Sequence, residues 1–361
     1  MDRLYVTTEN HVLEELRQPL LAWYRENARD LPWRHTSDPY RIWISEIMLQ
    51  QTRVAAVLGD YARFLEAFPT VETLASAPED QLMKLWEGLG YYSRARNLHK
   101  VAKTVAERGA FPDSYEGLLA LPGIGDYTAG AIASAAFGVR AAAVDGNVLR
   151  VVTRLTDDAA DIADPKTKKR ISEQVRSAMP TEPEDIRIFN QALMELGATV
   201  CVPNGAPRCG DCPARQLCLG YARNTAESLP VKTSKKARRI EEKTVFVLLR
   251  QGKVALRRRN DTGLLAGLWE FPNVEGTLDE AAAPSAVAQF GLTAKEWKRK
   301  LTAKHIFTHV EWHMTGYTLE VDGDGAENFL WADSEALSSH AVPAAFARYY
   351  REAEKELKNR S

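Results

Sequence analysis

Outside residues 201–218 the chain has no cysteine. A disulfide framework would spread its cysteines through all 361 residues, so a cross-linked secreted scaffold is excluded. No apolar run approaches the roughly 18–20 residues of a membrane span. The opening "MDRLYVTTENHVLEEL" carries early acids and lacks the apolar stretch of a secretory signal. The cytoplasm is therefore the expected compartment, with no membrane partner. Net charge is missing as well, at −1 from 47 basic and 48 acidic side chains. That removes a global pull toward nucleic acid, but not attraction through one basic face. Basic clusters at 166–170, 232–239, 256–259 and 295–300 read first as solvated faces and second as phosphate contacts. Repeats and low-complexity tracts are absent. A content of 45% hydrophobic and 26% charged residues describes a folded protein, long enough for two or three domains.

β-alternation is also lacking before residue 243. Residues 9–200 read as successive helices, at 11–25, 40–51, 53–67, 79–87, 94–108, 127–137, 146–155, 167–178 and 186–199. Prolines such as Pro39, Pro69, Pro78, Pro112 and Pro165 punctuate them. The segment 229–243 is charged and aperiodic and reads as a linker. Beyond it, 244–250, 253–259, 268–273 and 313–321 are strand-like, flanked by helical patterns at 279–290 and 343–358. The expected architecture is multidomain. An all-α domain at 1–228 ends in a four-cysteine loop at 201–218, and an α+β domain at 244–361 follows the linker.

Four motifs carry chemistry. "LPGIGDYTAGAI" (121–132) is a helix, a Gly-Ile-Gly turn and a helix. Gly123 and Gly125 permit close backbone approach, so the turn's N–H groups and the next helix's N-terminus can hold an anion such as a DNA phosphate. A plain helical corner is the alternative. In "VDGNVLR" (144–150), Asp145 precedes a helix, where it serves either as an N-cap or as a carboxylate kept ionised for chemistry. In "WISEIMLQQT" (43–52), Glu46 lies among Trp43, Ile44, Ile47 and Met48. An acid desolvated there has a raised pKa, as a general acid working near neutrality requires, unless it faces water. The cysteines read Cys201-x7-Cys209-x2-Cys212-x5-Cys218, and four thiolates at this spacing suit zinc or an iron–sulfur cluster equally.

Together the helix-hairpin-helix, "VDGNVLR" and the cysteine loop resemble the endonuclease III-like superfamily of DNA glycosylases. "LPWR" (31–34), "SEIMLQQTRV" (45–54), "WEGLGYYSRARNL" (86–98) and "ALMELGA" (192–198) narrow the resemblance to adenine DNA glycosylases of the MutY type. The resemblance runs over nearly the whole chain. Bifunctional members of the superfamily carry a lysine where Tyr127 stands. A phenol cannot form the imine needed to cut the strand, so the resemblance implies a monofunctional base remover.

It further implies that Glu46 protonates adenine while Asp145 stabilises the sugar cation, with Tyr127 and Asn147 positioning the sugar. Arg29, Arg34 and Glu195 would hold the flipped adenine, and Trp33 would line its pocket. Gln51 and Tyr91 would wedge into the base stack, with Gln50, Thr52, Gly123 and Gly125 also at the DNA. Cys201, Cys209, Cys212 and Cys218 would hold one 4Fe–4S cluster, although the first gap is one residue longer than usual in that superfamily. Arg208 and Arg215 are candidate phosphate contacts. The last domain resembles a Nudix domain, but 277–292 lacks the acidic set that binds magnesium, so pyrophosphate hydrolysis is not expected. "HIFTHVEWH" (305–313) is similar to a loop that probes 8-oxoguanine, with Phe307, Thr308 and His309 in place of the usual Phe-Ser-His. The implied partner is double-stranded DNA with A:8-oxoguanine or A:G mispairs, bound by a monomer. A thymine or uracil mismatch glycosylase is the alternative enzyme, and a catalytically silent lesion-binding protein the alternative class.

Overall fold

The computed structural model describes residues 11–203, 205–233, 237–325 and 329–359. The first ten residues of the stretch weighed above as a signal, residue 204 of the cysteine loop and 234–236 of the linker lie outside the described residues.

The helices are α1 (Val12–Asn27), α2 (Pro39–Leu49), α3 (Val54–Ala67), α4 (Val71–Ala75), α5 (Glu79–Leu85), α6 (Ser93–Arg108), α7 (Tyr115–Leu119) and α8 (Asp126–Phe137). They continue with α9 (Gly146–Thr156), α10 (Pro165–Ala178), α11 (Pro183–Thr199), α12 (Leu219–Ala222), α13 (Ala283–Gln289), α14 (Ser334–Ser339) and α15 (Ala347–Lys358). The strands are β1 (Arg239–Arg250), β2 (Lys253–Arg258), β3 (Trp269–Glu270), β4 (Asn273–Glu275), β5 (Thr293–Ile306), β6 (Val310–Asp322) and β7 (Phe329–Ala332). Helix starts follow local chemistry. Asp38 and Asp164 cap the N–H groups of Tyr40 and Lys166 ahead of α2 and α10, each with proline in the first turn. Gly138, at φ 66°, ends α8 in the left-handed conformation.

The chain forms two compact units, Met1–Ser76 with Arg96–Ser234, and Ala77–Ala95 with Lys235–Ser361. In the first, α1, α9, α10 and α11 pack around Leu16, Leu20, Val152 and Phe189. The alanine-rich α8 lies so close to the chain after it that a Cβ at Gly130 would stand 2.1 Å from the Ala142 carbonyl oxygen. Only glycine fits there. In the second unit one seven-stranded sheet runs β3-β2-β1-β6-β5, with β4 on β1 and β7 on β2. The β1–β6 pair is parallel and the rest are antiparallel. Strand β1 buries both faces. Val245, Val247 and Leu249 join Trp312, Phe346 and Tyr349, while Phe246 and Leu248 join Tyr317 and Val287. A helical core and a second, sheet-based part are thus present as expected.

Several details differ from the sequence reading. Strand β5 was not foreseen, because Leu301 is its one buried residue and its lysines disguise an edge strand. The supposed linker is extended chain from Arg239 onward, where β1 pairs with β6. The stretch 268–273 splits between β3 and β4, and α2 stops at Leu49, leaving Gln50 and Gln51 outside it. Residues 77–95 group with the second unit: Lys84 Nζ donates to the His340 carbonyl at 3.5 Å, and Tyr91 meets Thr308.

Candidate active site

In the first unit a cavity of about 1280 Å³ is lined from α2, α8, α9 and α11. Arg29, Trp33, Arg34, Glu46, Gln50, Gln51, Thr52, Gly125, Tyr127, Asp145, Asn147 and Glu195 all line it. Residues scattered over 166 positions of sequence therefore share one wall.

Glu46 comes from the apolar face of α2 and Tyr127 from the first turn of α8. Tyr127 Oη donates to Glu46 Oε2 at 2.6 Å and lies 3.6 Å from the Met194 sulfur. Burial pushes the Glu46 carboxyl up to about 7, against the Tyr127 hydrogen bond, which lowers it. The nearby Asp145 charge raises it further. Burial likewise drives the Tyr127 phenol well above its ordinary value, so the phenol keeps its proton and donates. Such a carboxyl holds or releases a proton near neutrality.

Asp145 caps α9, as the simpler reading had it, and also faces the cavity. Its Oδ1 accepts from Val148 N–H at 2.8 Å and its Oδ2 from Asn147 Nδ2 at 2.8 Å. Burial raises its pKa, and these hydrogen bonds pull it back. Behind Asn147 lies a residue that the sequence reading left without a role. Arg150 donates to Asn147 Oδ1 at 2.9 Å, to the Gly197 carbonyl at 2.8 Å and to the Cys201 carbonyl at 2.8 Å. Gly197 was also missed; a Cβ there would stand 2.7 Å from the Asn147 Cβ. Both sit inside quoted motifs, but nothing in their spacing announces the contact.

Glu195 is fully buried on α11. Its carboxylate accepts from Arg29 Nε and Nη2 at 2.7 Å each, from Arg29 N–H at 3.1 Å and from Arg34 Nη2 at 2.6 Å. Burial alone would raise its pKa, but these donors hold it down to about 2. Trp33 packs edge-on against Tyr61, with ring centroids 5.2 Å apart. Gln51 stands at φ 59° and Gly123 at φ 77°.

The remaining candidates lie elsewhere. Tyr91, Phe307, Thr308 and His309 belong to the second unit, where Tyr91 Oη meets Thr308 Oγ1 at 2.6 Å. Cys201, Cys209, Cys212 and Cys218 line one small cavity beneath α9, and Arg154 Nη1 approaches the Cys201 sulfur at 3.3 Å. Among the described residues no three Cys, His, Asp or Glu side chains are set to hold a single metal ion. Arg208 is exposed. Arg215 donates to the Tyr221 hydroxyl at 2.8 Å.

Residues 44–177 match the HhH-GPD superfamily of base excision DNA repair proteins, and 244–352 match the NUDIX domain family. The chain is similar to the adenine DNA glycosylase of Homo sapiens, 34% identical over 93% of this chain and 73% of that one. It is also similar to that of Schizosaccharomyces pombe, 30% identical over 96% and 91%. Among solved structures, a thermostable thymine-DNA glycosylase aligns over 59% of this chain and 98% of its own, at 31% identity and a TM-score of 0.53. A trapped endonuclease III–DNA covalent intermediate aligns over 61% and 99%, at 24% identity and a TM-score of 0.51, which speaks for the shared fold.

Proposed function

The chain belongs to the adenine DNA glycosylases, and on that premise we propose that Glu46 and Asp145 divide the hydrolysis of adenine's N-glycosidic bond between them. The observation that carries this reading is a carboxyl brought to about 7 beside Tyr127, in the same cavity as Asp145. Adenine leaves poorly unless a ring nitrogen is protonated. Glu46 supplies that proton, and the ionised Asp145 stabilises the positive charge developing on the sugar. Asn147, fixed by Arg150, orients Asp145, and Tyr127 holds the Glu46 carboxyl toward the reacting base. Arg29 and Arg34, clamped by Glu195, hold the flipped adenine against Trp33. Flipping costs a few kcal/mol, offset by these pocket contacts and by Gln51 and Tyr91 entering the stack. Gln50, Thr52 and the N–H groups of the Gly123–Gly125 turn meet the DNA. Tyr127, a phenol at the position of the strand-cutting lysine, leaves an abasic site as the product.

The base opposite adenine is 8-oxoguanine, with guanine also accepted. Phe307, Thr308 and His309 in the β5–β6 loop support this reading, because they match the loop type that probes that lesion. Cys201, Cys209, Cys212 and Cys218 hold one 4Fe–4S cluster. Burial pushes the thiols of Cys209, Cys212 and Cys218 up, and a bound metal cation would hold them as thiolates. A cluster held by these four thiolates would brace the loop after α11, and the chemistry above does not pass through it. Mismatched thymine is the alternative substrate, because the similar thermostable enzyme is a thymine-DNA glycosylase; Glu46 speaks against it, since excising thymine has no use for an acid aimed at a purine nitrogen.

The test is single-turnover base release from duplexes holding A:8-oxoguanine, A:G, T:G and A:T. Adenine release opposite 8-oxoguanine and opposite G is expected, with no release of thymine. Release of thymine but not adenine would reverse the assignment.

A further inference from the structure

One face of α10 takes no part in the chemistry above. The buried stripe of this helix is Thr167, Ile171, Val175 and Ala178, which recur at helical spacing and seat it on the core. A second set, Pro165, Lys168, Lys169, Ser172, Glu173 and Arg176, recurs with the same period, and all six line the cavity of Glu46 and Asp145. The basic cluster at 166–170 is thereby divided. Lys168 and Lys169 border the cavity, whereas Lys166 does not line it and Arg170 is paired with Asp158.

The free charges collect on that face. Lys168, Lys169 and Arg176 are exposed, and among the described residues none of them forms an ion pair. Glu173 is the one acid that α10 brings to the same wall. Like charges held side by side repel one another, a cost that an anionic ligand removes. The wall is also fixed in place. Arg140 Nη2 donates to the carbonyls of Arg176 at 3.4 Å, Ser177 at 3.3 Å and Met179 at 3.0 Å. Arg140 belongs to the segment between α8 and α9, so the end of α10 is tied to the chain that delivers Asp145. Gly125 and Asp126, at the turn read above as a phosphate grip, line the same cavity. From Lys168 to Arg176 the helix rises roughly 12 Å, the axial length of about three or four phosphates of one DNA strand.

We propose that the α10 face formed by Lys168, Lys169 and Arg176 is a second phosphate-binding surface, which grips the backbone of the duplex whose adenine enters the cavity. This rests on the reading that DNA docks over that cavity. Exposed ammonium groups on a helix face act as point charges toward phosphate. The surface therefore adds affinity and fixes the position of the strand, without a preference for base sequence. A chain of net charge −1 holds a polyanion in this way because its unpaired cations are concentrated where the strand passes.

The experiment is a salt titration of affinity. The full-length protein binds a duplex in which a sugar-fluorinated adenosine, which resists excision, stands opposite 8-oxoguanine. Fluorescence anisotropy gives the dissociation constant at several salt concentrations. Wild type is compared with the triple variant Lys168→Gln/Lys169→Gln/Arg176→Gln, with Lys169→Gln, with Lys169→Arg and with Lys166→Gln. Exposed glutamines keep helix propensity, and thermal melts check the fold. We expect the triple variant to lower the slope of log affinity against log salt by about 2–3, and Lys169→Gln alone by about 1. At 0.1 M salt the triple variant should bind about 10²-fold more weakly. Lys169→Arg keeps the charge and should keep the wild-type slope. Lys166→Gln, on the same helix but outside the cavity, should stay within about twofold of wild type. A wild-type slope in the triple variant and in Lys169→Gln overturns the proposal. So does a loss in Lys166→Gln as large as that in Lys169→Gln, which would assign the effect to the total charge of the helix. Wild-type protein that shows the expected slope changes but releases no adenine overturns the glycosylase reading and leaves the phosphate surface in place.

Discussion

The Tyr127 hydroxyl donates a 2.6 Å hydrogen bond to the carboxyl of Glu46, and the two side chains come from helices 81 positions apart. That bond opposes burial. It favours the ionised carboxylate, while the apolar wall of α2 favours the neutral acid, and the outcome is a group that titrates near 7. The proton that adenine needs is therefore available at neutral pH and scarce above it.

Single-turnover adenine release should fall as pH rises through about 7, with the slope of a single ionisation. Glu46→Gln should lower the rate by about 10²–10⁴-fold, the usual contribution of a general acid. Tyr127→Phe removes an interaction that lowers the Glu46 pKa, so its alkaline limb should move to higher pH. A Tyr127→Phe limb shifted to lower pH would show that the phenol acts on another group.

The same titration affects stability. Glu46 goes from an ordinary 4.5 to about 7 on folding, so the folded state binds its proton more tightly. Its contribution is fully present below about 4.5 and is lost as pH rises through 7. Glu46→Gln has no such loss. It should be more stable than wild type above pH 7, by roughly 1–3 kcal/mol, with the gap closing toward pH 5. Thermal melts across that range check this, and a gap that widens on acidification contradicts it.

The site was legible in the sequence where side-chain chemistry announced itself. Glu46 on an apolar stripe and four clustered cysteines each break a local pattern, and breaks of that kind point to function, whereas Asp145 fits the N-cap pattern and was singled out by the motif around it. What stayed hidden was whatever depends on two distant segments meeting. Arg150 looks like an ordinary helix residue until α11 and the loop after it deliver the Gly197 and Cys201 carbonyls to it. Strand β5 was invisible for the opposite reason: an edge strand with one buried residue has no alternation to read. The grouping of 77–95 with the C-terminal unit follows from contacts such as Tyr91 with Thr308, separated by 217 positions, which no periodicity encodes.

The cysteine loop gives a prediction independent of catalysis. Protein purified without oxygen should be brown and carry close to four iron atoms per chain, the content of one 4Fe–4S cluster. Cys212→Ser, at the most strongly raised thiol, should lose the colour and loosen the loop after α11. Limited proteolysis should then cut within 201–218 while the α+β unit survives. Stoichiometric zinc in colourless, fully active protein would refute the cluster.

Gly197 offers the sharpest test of how Asp145 is held. The glycine lies on α11, against Asn147 of α9, and a methyl group there would stand 2.7 Å from the Asn147 Cβ. Ordinary contacts are well over 3 Å, so α9 or α11 must yield. The strain of such overpacking is about 1–3 kcal/mol, which a chain with this core should survive. Asn147 has less room to adapt, because Asp145 accepts from its Nδ2 and Arg150 donates to its Oδ1. Displacing it turns the Asp145 carboxylate away from where the sugar cation forms. Gly197→Ala should therefore fold, bind duplex DNA near wild-type affinity, and release adenine about 10–100-fold more slowly, the cost of misplacing a reacting group by roughly 1 Å. The pH midpoint set by Glu46 should move slightly down, since the nearby Asp145 charge that helps to raise that carboxyl is displaced. A normal rate in the folded variant would mean that Asn147 does not govern the position of Asp145.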